Sequence, residues 1–141
     1  VPEAKAADVA IGIENVWNRF LLSPLETRRF LDEIGSDYVG MYLDVGNAVY
    51  IGYPEQWIEI LGHRIKKLHM SDYRFDQAGI GAFVDLFAGD VDFPAVAKAI
   101  AGIGYDDYIT LEMLPNYKQF PEVSLYADKY AMNKIIEMIH L

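Results

Sequence analysis

Apolar and polar positions alternate along this chain with two different periods. Short runs of period two and longer runs of period near 3.6 take turns four times. Residues 9–15 (VAIGIEN), 38–45 (YVGMYLDV), 65–71 (IKKLHMS) and 108–113 (YITLEM) are short, apolar and rich in β-branched or aromatic residues, as buried parallel strands are. Between them lie helical stretches with their own punctuation. Ser23-Pro24-Leu25-Glu26 reads as a capping box with proline at the first helical position, and Gly35 as the stop. Pro54 opens a second helix that ends near Gly62. Asp92 caps a third, from about Phe93 to Gly102 and Gly104. A loop with Pro115 and Pro121 leads to a last helix over 123–139, where Tyr126, Tyr130, Ile135 and Ile136 at helical spacing are expected in the core. The longest connection, 72–90, contains an apolar patch. Its segment 79–87 is either a lid or an ordered crossover with a short helix. Strict β–α alternation with such connections predicts an α/β domain with parallel strands and right-handed crossovers. No linker or composition break divides residues 1–141, so one domain is expected.

Composition narrows the class. Of 141 residues, 52% are hydrophobic, and ten tyrosines and seven phenylalanines supply large apolar areas, enough to bury a core. Twelve basic against 21 acidic residues leave a net charge of −9, which argues against a phosphate-backbone binder. The absence of cysteine excludes disulfides, thiolate metal sites and thiol catalysis, and fits a reducing, cytoplasmic setting. Neither a membrane span nor a secretion signal is expected. The chain starts at Val1 and enters regular structure almost at once, so it reads as a piece that begins mid-protein.

The candidate chemistry sits at one end of the strands. Each strand carries a metal-capable residue near its C-terminal end: Glu14, Asp44, His69 and Glu112. Side chains alternate faces along a strand. By that parity Val9, Ile11 and Ile13 oppose Gly12 and Glu14, while Val39, Met41 and Leu43 oppose Tyr42 and Asp44. Likewise Leu68 and Met70 oppose Lys67 and His69, and Ile109, Leu111 and Met113 oppose Thr110 and Glu112. Every strand thus has one apolar face and one polar face, with all four candidates on the polar one. Taken singly, each has a plainer reading: a solvated carboxylate or cap for Glu14 and Glu112, an Asx turn for Asp44, a hydrogen-bonded core histidine for His69. Taken together, three carboxylates and an imidazole in one low-dielectric mouth repel one another and lose hydration unless a divalent cation compensates. Such a donor set suits Mn²⁺ or Mg²⁺ first, with Co²⁺, Fe²⁺ and Zn²⁺ also compatible.

Four segments carry a resemblance: Ile11-Gly12-Ile13-Glu14-Asn15-Val16-Trp17-Asn18, Leu43-Asp44-Val45-Gly46-Asn47, Lys67-Leu68-His69-Met70-Ser71-Asp72 and Ile109-Thr110-Leu111-Glu112, with Gly89-Asp90-Val91-Asp92-Phe93 at the entry to the last βα unit. The chain resembles the sugar-phosphate isomerase/epimerase family of xylose-isomerase-like TIM barrels, which includes the ketose 3-epimerases. The resemblance implies that Glu14, Asp44, His69 and Glu112 bind one divalent metal and that Glu14 and Glu112 are also the catalytic acid/base pair. One glutamate would remove a proton beside a carbonyl to form an enediolate. The other would deliver a proton on the opposite face, giving epimerisation, while return of a proton to the neighbouring carbon would give isomerisation. It also suggests substrate contacts. Asn47 stands where some epimerases carry a histidine. Arg74 resembles a substrate-contacting arginine, though pairing with Asp72 or Asp76 is its plainer reading. Asn18 and Arg19 follow the first strand toward the mouth, and Trp17 either stacks on a sugar or fills the mouth. Asp72 either orients His69 or contacts substrate. His63 and His140 lie away from the mouth and are given no chemistry.

Related activities stay open: an inosose dehydratase, a hydroxypyruvate isomerase, or a family-2 AP endonuclease, the last opposed by the net charge. Four βα units are half of the eight that close a TIM barrel of about 250 residues. The expectation is therefore a C-terminal half-barrel that lacks its N-terminal half and needs a partner, either that half or a second copy. A non-catalytic half-barrel acting only by association is the competing reading. The substrate expected is a small sugar or sugar phosphate, with no nucleic acid or membrane partner, and the isolated chain is expected to be poorly active or inactive.

Overall fold

Four parallel strands, β1 (Ile11–Glu14), β2 (Val39–Asp44), β3 (Ile65–Met70) and β6 (Ile109–Leu111), form one sheet in the order β1-β2-β3-β6. The computed structural model describes residues 1–114 and 117–141. Pro115, expected in the turn before the last helix, lies outside the described residues. Spatial order follows chain order, so each crossover joins neighbouring strands in the same direction. The connecting helices α2 (Pro24–Ile34), α4 (Pro54–Leu61), α5 (Phe93–Gly102) and α6 (Glu122–Ile139) follow suit, α2 packing on α4, α4 on α5 and α5 on α6. That is the winding of a barrel wall, not of an open doubly wound sheet.

Helix ends follow the local signals. Ser23 Oγ accepts from the backbone N–H groups of Leu25 and Glu26 at 3.2 and 3.4 Å. Glu26 reaches back to the N–H of Leu22 at 3.1 Å instead of closing the box on Ser23, so the cap is shifted by one residue. Asp92 Oδ1 accepts from Ala95 N–H at 3.0 Å and starts α5.

The core lies between the sheet and the row of helices. Met41, Leu43, Leu68 and Met70 are buried from the sheet side against Trp57, Ile58, Leu61, Phe93, Val96, Ile100 and Ile135 from the helices. The apolar parity of the two central strands therefore holds. The outer strand β1 differs: Ile11 and Val9 are exposed, because β1 pairs only with β2 and runs shorter than expected.

Several elements depart from the sequence expectation. A short helix α1 (Pro2–Ala7) precedes β1 and buries nothing. The expected loop after β2 is the helix α3 (Val45–Ile51). Two short strands, β4 (Asp72–Tyr73) and β5 (Phe83–Val84), pair antiparallel and bracket a 3₁₀ turn over Gly79–Ala82, so the 79–87 segment is an ordered crossover with a short helix. On α6, Ile135 is buried, but Tyr126, Tyr130 and Ile136 are exposed, which corrects the core assignment of those three. The helix packs on α5 and β6 along one stripe, and its apolar spacing continues past that stripe.

Candidate metal centre

At the C-terminal edge of the sheet, β1 ends in Glu14, β2 ends in Asp44, and β3 carries His69 in its next-to-last position. Glu112 follows β6 directly, its N–H donating to the carbonyl of Met70 at 2.9 Å and so continuing the ladder by one residue. Register brings them together: Asp44 pairs with His69, and His69 pairs with Thr110, two residues before Glu112. One ligand atom from each of Glu14, Asp44, His69 and Glu112 lies within 4.8 Å of the others.

His69 Nδ1 is the hub. It lies 2.9 Å from Glu14 Oε1 and 3.0 Å from Glu112 Oε2, so two carboxylates from the two outer strands converge on one ring nitrogen. Asp44 is fully buried, and burial pushes its carboxyl up to about 7; the neighbouring Glu112 adds to the rise, while hydrogen bonds from the Asn47 backbone and Ser71 oppose it. Three acidic groups this close favour either shared protons or a cation, and an oxygen-rich set with one imidazole fits a divalent ion of the Mg²⁺, Mn²⁺ or Zn²⁺ type.

The surrounding groups hold this geometry. Ser71 Oγ donates to Asp44 and accepts from the N–H of Gly46 at 3.1 Å. Asn15, just past β1, donates to the carbonyl of Asp44 and accepts from its N–H, both at 2.8 Å, so its side chain extends the β1–β2 ladder. Asp44 Oδ1 accepts from the N–H of Asn47 at 2.5 Å and thereby caps α3. Ser71 and Asn15 were visible in the sequence only as neighbours of His69 and Glu14. Their role depends on partners 27 and 29 residues away, which no local pattern records.

The expected substrate contacts fall in different places. Asn47 borders a cavity of about 180 Å³ beside the centre, together with Ser71, Glu112, Ile80 and Phe83. Trp17 is packed at the mouth among the rings of Tyr50, Phe83 and Tyr73, at 4.7, 5.4 and 5.5 Å between centroids. Asn18 Oδ1 accepts from the N–H of Phe20 at 3.0 Å on the exposed loop. Arg19 borders a separate cleft with Asn15, Trp17 and Tyr50. Arg74 is paired with Asp76, its Nε 2.9 Å from Oδ1, and this ion pair is solvent-exposed. Asp72 is fully buried and accepts from the N–H groups of Tyr73, Gly89 and Val91, pinning the crossover after β3. Its carboxyl is pushed up by burial. His69 meets Glu14 and Glu112 with the nitrogen that faces the centre, while Asp72 spends its oxygens on backbone.

The fold is shared with known structures and a known family. No curated protein matches the sequence. Among solved structures, the IolI protein with a bound zinc atom superposes with a TM-score of 0.79 at 18% identity, over 96% of this chain and 54% of that one. A D-tagatose 3-epimerase-like protein gives 0.78 at 22% identity, over 97% and 50%. D-psicose 3-epimerase from Clostridium cellulolyticum H10, solved with D-tagatose, gives 0.72 at 14%, over 96% and 51%. At these identities the likeness is one of fold, and the chain spans about half the length of the structures it matches. The family described as xylose isomerase-like TIM barrel matches residues 1–131, and with its sequential parallel sheet and one-sided helices the chain belongs to that family.

Proposed function

We propose that this chain is the metal-binding, C-terminal half of a carbohydrate isomerase or epimerase that moves a proton beside a carbonyl through an enediolate. The observation that carries this reading is the convergence of Glu14 and Glu112, from opposite edges of the sheet, on His69 Nδ1, with Asp44 beside them. Glu14, Asp44, His69 and Glu112 would hold the ion. The chemistry supplied by a divalent cation there is polarisation of a carbonyl and its neighbouring hydroxyl, which acidifies the adjacent C–H.

The residues divide the remaining work. Glu14 and Glu112 flank the site from two sides, so one can take a proton from carbon while the other, itself protonated, donates its own proton to the opposite face, inverting the centre. Return to the neighbouring carbon interconverts aldose and ketose. Asp44 stays out of water and serves as a fixed ligand, held by Ser71 and the N–H of Asn47. Asn47 faces the adjoining cavity and is the proposed hydroxyl contact. Arg74 and Asn18 would reach substrate only by leaving their present partners, whereas Asp72 is proposed to hold the crossover after β3 in place.

The open sheet edges at β1 and β6 support a partner, and the N-terminal half-barrel is the one proposed. Among the described residues no helix is long and apolar enough to cross a membrane. A cytoplasmic setting is part of the same proposal, resting on the cysteine-free composition.

The deciding experiment is metal-dependent exchange of a carbon-bound proton with deuterated water, in a complete barrel containing this chain, over ketoses, their phosphates and hydroxypyruvate. Exchange with one of these is expected. A complete, metal-loaded barrel that exchanges none of them overturns the reading. The isolated 141-residue chain is expected to be poorly active or inactive, since one wall of the pocket would be missing.

A further inference from the structure

The imidazole of His69 is gripped by a residue that takes no part in the donor set. The ring of Tyr42 lies against it, with 3.9 Å between centroids and 37° between planes. Tyr42 sits on β2, opposite Glu14 on one side and Lys67 on the other. Its side chain crosses over β3 diagonally, and its hydroxyl ends 3.1 Å from Thr110 Oγ1 on β6. One side chain therefore straps three neighbouring strands across the polar face, with His69 beneath the strap.

Room for this posture comes from β1. Gly12 pairs beside the strap, and a Cβ there would lie 3.0 Å from Cβ of Tyr42 and 3.4 Å from its ring. A side chain at position 12 would crowd Tyr42 from the β1 side and force it to shift by a few tenths of an ångström.

An imidazole has two soft torsions, and a ligand set needs both settled. The contact with Tyr42 fixes the plane of the ring, and the carboxylates of Glu14 and Glu112 select the edge that carries Nδ1. We infer that Tyr42 is a positioning residue of this centre: its ring, tied to Thr110, holds the His69 imidazole in the plane that points Nδ1 at Glu14 and Glu112. The inference rests on the metal-site reading for its purpose, and on the ring geometry alone for its substance.

The test uses the whole chain, with Co²⁺ as the probe ion, and two readouts. One is Co²⁺ affinity and visible absorption; the other is the ¹⁵N chemical shifts of the His69 ring nitrogens in metal-free protein. Tyr42→Leu should weaken Co²⁺ binding about 10–100-fold, the usual cost of losing a supporting group, and should move the ring-nitrogen shifts. Tyr42→Phe keeps the ring contact and should lose less than about tenfold on the same grounds. Thr110→Val removes the anchor of the Tyr42 hydroxyl and serves if Tyr42→Leu does not fold; the loosened ring should shift the His69 resonances in the same direction. A folded Tyr42→Leu or Thr110→Val protein with unchanged His69 shifts and unchanged Co²⁺ affinity overturns the inference. If the unaltered chain binds no Co²⁺, the metal reading fails, and the nitrogen shifts alone decide the role of Tyr42.

Discussion

Ser71 donates its hydroxyl proton between the two carboxylate oxygens of Asp44, at 2.8 and 3.0 Å, inside a site where both residues are buried. The same hydroxyl oxygen accepts the N–H of Gly46, so three consecutive parts of the centre hang on one atom. This explains Gly46 as well: a Cβ at that position would lie 2.3 Å from Ser71 Oγ.

Ser71→Ala leaves a buried carboxylate without its side-chain donor and the Gly46 N–H without an acceptor. The expected loss is about 1–3 kcal/mol of folding stability, read from urea unfolding of the metal-free chain. Gly46→Ala should be at least as damaging, through the clash with Ser71. Wild-type stability in both variants would contradict the hydrogen-bonded arrangement.

Asp44 predicts a pH dependence of definite sign. Its folded-state carboxyl sits at about 7, above the ordinary value of 3.8. The folded state therefore binds its proton more tightly than the unfolded chain. The resulting stability is fully present below about pH 4 and is lost as pH rises through about 7. In metal-free protein the urea midpoint should fall across that window, and Asp44→Asn should flatten the fall. A dependence unchanged by Asp44→Asn would contradict this assignment.

A divalent ion should act in the opposite sense at neutral pH. Binding only to the folded chain, it stabilises by mass action, by about 2.7 kcal/mol at a hundredfold excess over its dissociation constant. Mn²⁺ or Co²⁺ should raise Tm, a chelator should reverse the rise, and His69→Ala should remove most of it. An equal rise in His69→Ala would place the ion elsewhere.

Glu112→Gln preserves shape and removes the base. In a complete barrel it should lower kcat by about 10²–10⁴-fold, the usual contribution of a positioned acid or base, with much smaller change in sugar binding. Activity that survives this substitution would take Glu112 out of the acid/base pair.

The helix-facing core offers a test of the fold itself. Leu68 is fully buried in the central strand β3. Leu68→Ala should cost about 2–5 kcal/mol, seen as a lower urea midpoint, whereas truncating the exposed Tyr126 on α6 should cost little.

Much of this was legible in the residue pattern. The four strands, the caps at Ser23 and Asp92, and the strand-end positions of Glu14, Asp44, His69 and Glu112 follow from spacing and parity. The misses have a common cause. The helix over Val45–Ile51 depends on Asp44 capping it from within the centre. The exposure of Tyr126 and Tyr130 depends on how much of α6 its neighbour α5 covers. Both are set by packing between elements, to which a local periodicity is blind.

The sequence by itself determined that each strand is apolar on one face, that a ligand-capable side chain closes each strand on the other, and that four βα units are present. Only the tertiary structure decided that the strands lie in chain order with all crossover helices on one side, which turns four scattered residues into one cluster. It also decided the supports: Ser71 under Asp44, Asn15 across the end of β1, and Tyr42 strapped over His69 to Thr110. The physical reason is register. Side-chain alternation is a property of one strand and can be read along it, whereas a hydrogen bond or ring contact between strands exists only once their relative alignment is set by the packing of the whole sheet.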